Sequence, residues 1–192
     1  MYLYNENGEH LGWFTWNHAL AISKHTDYAI YALAFCKDMP SQKMLPCQVE
    51  DTIYVGIAGG KCFDKKNKTA TGGSVQTYLT KRFMAHNVQL NDFNKVKEEK
   101  YKIFHETHVP TLNRHKQLFY SVSIPNKKMN PSMIRSFLAL CESEYIWTYC
   151  KNFNNVPLMN LSHEHKPEKR KLNSVSERVM NSPPLIMIAN QN

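Results

Sequence analysis

Apolar and polar positions follow two rhythms along this chain, and each change of rhythm marks an element. Near the start, Tyr2, Tyr4, Leu11 and Trp13 flank Asn7-Gly8, a dipeptide that suits a tight hairpin turn because both residues tolerate positive φ. A short helix is predicted over about Thr15 to Ser23. Tyr28-Ala-Ile-Tyr-Ala-Leu-Ala-Phe35 is an unbroken apolar run of strand length, bounded by Asp27 and by Lys37, Asp38 and Pro40, and it reads as a central strand. A turn-rich connection with Pro40 and Pro46 leads to Thr52-Ile-Tyr-Val-Gly56, a second buried strand expected to pair with the first; Gly56 to Gly60 reads as the turn after it.

Helical spacing then takes over. Ser74 is a good N-cap, Val75, Leu79 and Phe83 recur along one face, and Arg82 and His86 share the adjoining face four residues apart. Further on, Lys95-Val-Lys-Glu-Glu-Lys100 suggests a helix end and Tyr101-Lys-Ile-Phe104 the start of a strand. Gln117 to Ile124, rich in β-branched and aromatic residues and closed by Pro125, reads as another strand. Asn130-Pro131 opens the longest helix, cap followed by proline at the first position, with Ile134, Leu138, Tyr145 and Tyr149 along one face. Trp13, Phe14, Trp16 and Trp147 are expected to serve packing.

A length of 192 residues and a hydrophobic share of 42% are enough for one ordinary domain with a sizeable core. The formal charge of +8 favours polyanionic partners, nucleic acid first among them, though charge alone leaves a membrane surface open. No apolar run approaches the roughly 20 residues that span a bilayer, and the polar start lacks the pattern of a signal peptide. The expected location is therefore the cytoplasm, or the nucleus for a eukaryotic or viral protein. Five cysteines, an odd number without a Cys-x-x-Cys pair, argue for reduced thiols and against a disulfide framework or zinc ribbon.

Other chemistry is sparse. His105 with His108 and His163 with His165 have ligand-like spacing but no accompanying cluster, and are expected on surface or loop. Neither a phosphate-binding glycine loop nor a dinucleotide fingerprint occurs. Glu142 interrupts the apolar face of the last helix between Leu138 and Ile146. An uncompensated buried carboxylate is costly, so Glu142 should be partly exposed, or paired with Arg82 or Arg135, or else hold a hard cation such as magnesium.

The order Ala-Ile-Tyr31, Tyr-Val-Gly56, Leu79-x-x-Arg82-x-x-x-His86, Glu142-x-x-Tyr-Ile146 and Pro157-x-x-Asn160 resembles the GIY-YIG nuclease family, in particular its type II restriction enzymes. The resemblance implies an α+β fold, a small three-stranded sheet flanked by helices, over about 26–160. An N-terminal hairpin and helix would occupy 1–25, and a basic extension 161–192. It implies a DNA endonuclease that hydrolyses phosphodiester bonds with Mg2+ or Mn2+: a restriction or phage and mobile-element enzyme, a structure-specific repair nuclease, or an inactive DNA-binding relative. Tyr31 and Tyr54 would be the motif tyrosines, with Tyr31 helping to activate water. Arg82 would bind the scissile phosphate, His86 would hydrogen-bond a tyrosine or the phosphate, Glu142 would hold the metal, and Asn160 would close the site. A single site would cut one strand at a time, which suggests a homodimer on double-stranded DNA or sequential nicking.

The chain departs from the pattern in several places. Ala29 stands where the family has its first glycine, and Ile57 where related enzymes can carry a lysine, so a cation is expected from Lys61 or Lys81. Asn160 fits the Pro-x-x-Asn ending, whereas Asn154 better fits the usual distance from Glu142. Insertions at about 57–74 and 87–116 lie outside the core motif and are where recognition is expected. Lys65, Lys66, Lys68 and Arg114 are candidate DNA contacts there, with Asn113 a possible base reader, although a lysine-rich stretch also suits a solvated loop.

Overall fold

The computed structural model describes residues 8–59, 63–64, 69–70, 78–108, 115–126, 129 and 131–163. Two compact units are present, Met1–Leu161 and Ser162–Asn192, and the fold that follows belongs to the first. In chain order come β1 (Gly8–Phe14), α1 (Trp16–Ser23), β2 (Ala29–Cys36), β3 (Thr52–Ala58), β4 (Phe63–Asp64), β5 (Thr69–Ala70), α2 (Tyr78–Asn91), α3 (Glu99–His108), β6 (Gln117–Pro125) and α4 (Pro131–Phe153). The fold is α+β. One sheet has the order β1-β6-β2-β3 with every neighbour antiparallel, and β4 and β5 form a separate ladder within the lysine-rich stretch.

The sheet has four strands where three were expected. The first arm of the expected N-terminal hairpin lies outside the described residues, but the second arm is β1, which pairs with β6 from Gly8↔Pro125 to Phe14↔Tyr120. Trp13 anchors it: the side chain is buried and its Nε1–H donates to the Met44 carbonyl at 2.7 Å. That bond satisfies the one polar atom of an otherwise apolar side chain.

Strand β2 is central and buried on both faces, which is why its sequence is apolar throughout and does not alternate. Period two nevertheless sorts its side chains. Ile30, Ala32, Ala34 and Cys36 join the core cluster that contains Ile134, Leu138, Cys141, Tyr145 and Tyr149 of α4. Ala29, Tyr31 and Leu33 join the other cluster, with Leu79 and Phe83 of α2 and Tyr101 and Phe104 of α3. The strand thus presents Tyr31 to the helix pair α2 and α3, which is the face on which the candidate site forms.

Two expectations fail in the segment before β6. Tyr101–Phe104 is not the start of a strand but lies within helix α3. Tyr101, Phe104 and His105 are all buried, and the spacing i, i+3, i+4 that brings them to one side is available only to a helix. Glu99 sits in the first turn, where a carboxylate favours a helix N-terminus. His105 is likewise no surface histidine, since its Nε2 lies 2.8 Å from the Gln89 carbonyl and ties α3 to α2.

On α4 the buried stripe is Ile134, Leu138, Cys141, Tyr145 and Tyr149, and Trp147, between the last two, falls on the opposite face. It is 68% exposed and does not serve the core as expected. Asn154 follows the helix with φ of 51°, the left-handed conformation common just past a helix end. The described cysteines Cys36, Cys47, Cys141 and Cys150 are free thiols, the first three buried. Among the described residues no helix is long and apolar enough to cross a membrane.

Candidate active site

The register of β2 and β3 brings the two motif tyrosines together. Tyr31 faces Gly56 and Leu33 faces Tyr54, so both tyrosines rise from the same face of the sheet, two register steps apart. The strand continues through Gly56 to Ala58, and the glycine is therefore part of β3 and not of a turn. Its role is space. A Cβ built at Gly56 would stand 2.7 Å from Cε1 and 2.8 Å from the hydroxyl oxygen of Tyr54. Without it, the Tyr54 ring folds back along its own strand to within 5.8 Å of the Tyr31 ring, centroid to centroid.

Helix α2 adds His86 to this pair. The spacing of Leu79, Phe83 and His86 puts all three on the buried side of the helix, with the histidine 2% exposed. Its Nε2 lies 2.9 Å from the Tyr31 hydroxyl and its Nδ1 lies 2.9 Å from the Tyr101 hydroxyl, while its ring centroid is 4.8 Å from that of Tyr54. Burial, assisted by the charges of Lys100 and Arg82, pulls the His86 pKa down to about 3. The imidazole is neutral at physiological pH and carries one N–H, so one of its two tyrosine partners donates and the other accepts.

The tyrosines are held in the protonated form. Burial pushes Tyr31 well above the usual phenol range, the nearby Tyr54 pushes the same way, and the Arg82 charge opposes both. Tyr54 is raised by burial and then by the Glu142 carboxylate. Tyr101 is raised by burial and then by Glu98. Tyr101 had not been singled out from the sequence.

The charged residues surround this neutral centre. Arg82 is exposed, lies one turn before His86, and takes part in no ion pair among the described residues. Its charge nonetheless acts on both motif tyrosines. Of the two lysines expected to supply a cation, Lys61 lies outside the described residues and Lys81 is exposed. Lys100, from the start of α3, is the cation found inside: it is 9% exposed, with Nζ 4.8 Å from the Tyr54 ring centroid and 5.0 Å from that of Tyr101. It also pairs with Glu98 at 3.3 Å. Glu98 and Glu99, followed by Tyr101, Phe104 and His105 at helical spacing, were the sequence signal for this helix and for both residues.

Glu142 is half-buried on α4 and acts as a negative charge on Tyr54. Among the described residues no group of three or more His, Cys, Asp or Glu side chains could hold a metal ion. A site with a single carboxylate ligand suits magnesium only where waters and substrate phosphate oxygens complete the shell.

The two candidate asparagines differ in kind. Asn160 is buried, its Oδ1 accepting from the Val55 N–H at 2.9 Å and its Nδ2 donating to the Val55 carbonyl at 2.9 Å. It clamps the outer edge of β3 beside Tyr54, and both ends of its amide are engaged. Asn154 is exposed. The candidate DNA contacts Lys65, Lys66, Lys68, Asn113 and Arg114 lie outside the described residues, and so does His165. Comparison with known proteins gave no match, either to a family model or to any curated protein or solved structure.

Proposed function

We propose that this protein is a metal-dependent DNA endonuclease of the GIY-YIG type, with site-specific cleavage in restriction or in a phage or mobile element as its role. The observation that carries the proposal is the Tyr31 hydroxyl 2.9 Å from His86 Nε2, with Tyr54 packed against both rings and Arg82 one turn away. In the proposed reaction these groups serve as a base, a proton acceptor and a phosphate-binding cation.

Each residue has a task in phosphodiester hydrolysis. Arg82 binds the scissile phosphate, for which a guanidinium fork is better matched than an ammonium. Tyr31 gives its proton to His86 Nε2 and, as phenolate, takes a proton from the attacking water. Tyr54 orders that water, and Asn160 keeps Tyr54 in place through β3. Glu142 would hold a magnesium or manganese ion, which when bound supplies positive charge for the leaving oxygen. The basic chain and Lys81 supply attraction for the DNA backbone.

The test is a plasmid-nicking assay with magnesium, comparing wild type with Glu142→Ala and Arg82→Ala. Each substitution is expected to lower the nicking rate by at least about 10²-fold, the cost of losing a charge aimed at the transition state. Full activity in both variants would remove the proposal. Discrete products from a mapped substrate support sequence-specific cutting, whereas cutting confined to branched DNA would move the role to repair.

A further inference from the structure

We propose that Tyr101 fixes the tautomer of His86, holding the imidazole proton on Nδ1 so that Nε2 offers its lone pair to the Tyr31 hydroxyl. This rests on the endonuclease assignment for its purpose, though not for its geometry. Tyr101 arrives on α3, an element separate from those bearing the motif residues, and is 1% exposed with its hydroxyl 2.9 Å from Nδ1. Its ring meets the imidazole edge to face at a centroid distance of 5.7 Å.

A neutral imidazole between two hydroxyls has only two arrangements. In one, Nε2–H donates to Tyr31 and Tyr101 donates to Nδ1; the nitrogen facing Tyr31 is already protonated and can take nothing from it. In the other, Nδ1–H donates to the Tyr101 oxygen and Tyr31 donates to Nε2. Only the second lets His86 act on Tyr31.

Tyr101 thereby does for His86 what the buried carboxylate does for the histidine of a Ser-His-Asp triad, without adding a charge. The proton balance is closed. Tyr31 passes its proton to Nε2, and the Nδ1–H bond to Tyr101 persists in the imidazolium. The Tyr31 oxygen takes a proton from water as the water oxygen bonds to phosphorus and the bond to the leaving oxygen breaks. The leaving oxygen takes a proton from solvent, and His86 returns one to solvent. Tyr101 touches no substrate and is a positioning residue.

The experiment is ¹⁵N NMR of the imidazole nitrogens in the full chain, with the His86 signals identified by their loss in His86→Gln. The wild type is expected to show Nδ1 protonated and Nε2 bare, and Tyr101→Phe to move the proton to Nε2. In the nicking assay Tyr101→Phe is expected to lower kcat by about 10²-fold, the low end for a proton-transfer group, with KM little changed. A wild-type spectrum with the proton on Nε2 overturns the proposal, as does a tautomer that Tyr101→Phe leaves unchanged. Unchanged kcat despite a shifted tautomer also overturns it. The spectrum requires no cleavage, so a wild type that fails to cut DNA refutes the endonuclease assignment alone. Should the variant fail to fold, the wild-type spectrum still decides.

Discussion

Gly56→Ala tests the packing that assembles the site. The added Cβ would lie 2.7 Å from Tyr54 Cε1, 2.8 Å from its hydroxyl oxygen and 3.0 Å from Cζ. Non-bonded carbon contacts settle at about 3.5–4.0 Å, so the ring must retreat by about 1 Å. Tyr54 is largely buried and packed against Tyr31, His86 and Lys100, which resists that retreat. Overpacking of this kind costs about 1–3 kcal/mol. Urea unfolding should register that cost in Gly56→Ala, and the cost should vanish when Tyr54→Ala is made as well, because the clashing ring is then gone. In the nicking assay a displacement of about 1 Å at a catalytic group is expected to lower the rate by about 10²-fold. A Gly56→Ala protein as stable as wild type, or one equally destabilised in the Tyr54→Ala background, would refute the role assigned to the missing Cβ.

Further outcomes follow from the same structure. Asn160→Ala leaves a buried N–H and a buried carbonyl of Val55 without their partner, and should cost about 2–4 kcal/mol in urea unfolding. Asn154→Gly relieves a left-handed residue at an exposed helix end and should be neutral within about 0.5 kcal/mol or slightly stabilising; equal losses at the two positions would contradict their assignment. For His86 the folded pKa of about 3 lies below the unfolded 6.5, so the unfolded chain binds the extra proton first. Its contribution to stability is complete above pH 6.5 and lost as pH falls toward 3. His86→Gln should therefore flatten the acid limb of stability against pH, and parallel limbs for variant and wild type would count against a buried neutral imidazole.

Much of this fold could be read from spacing alone. The apolar run around Tyr31 has no alternation because β2 is covered on both faces, and Pro131 and Pro125 mark the start of α4 and the end of β6. Arg82 and His86 were legible as a helical pair. Their difference was not: His86 is buried and Arg82 exposed, and that depends on which side of α2 meets the sheet. Gly56 read as a turn because the need for space beside Tyr54 exists only once β2 and β3 are in register. Lys100 and Tyr101 were hidden for a related reason. Their segment, Glu98 to His105, carries aromatic residues that suit a strand as well as a helix, and only packing against α2 and the sheet selects the helix.

For the proposed nuclease, the charge arrangement predicts a dependence on a divalent cation. At neutral pH burial keeps His86 uncharged and the three tyrosines protonated, so proton transfer from Tyr31 to His86 is uphill in the free protein. A phosphate on Arg82 cancels a charge that depresses His86 and so eases protonation of the imidazole. The same phosphate would remove the help that Arg82 gives the Tyr31 phenolate, an effect of opposite sign. A divalent cation held by Glu142 would balance the carboxylate that raises Tyr54, the tyrosine packed against Tyr31 and His86. The expected outcome is that chelation abolishes nicking while leaving DNA binding and its salt dependence in place, measured by filter binding on the same plasmid. Nicking that survives chelation at the wild-type rate would show that Glu142 has another task.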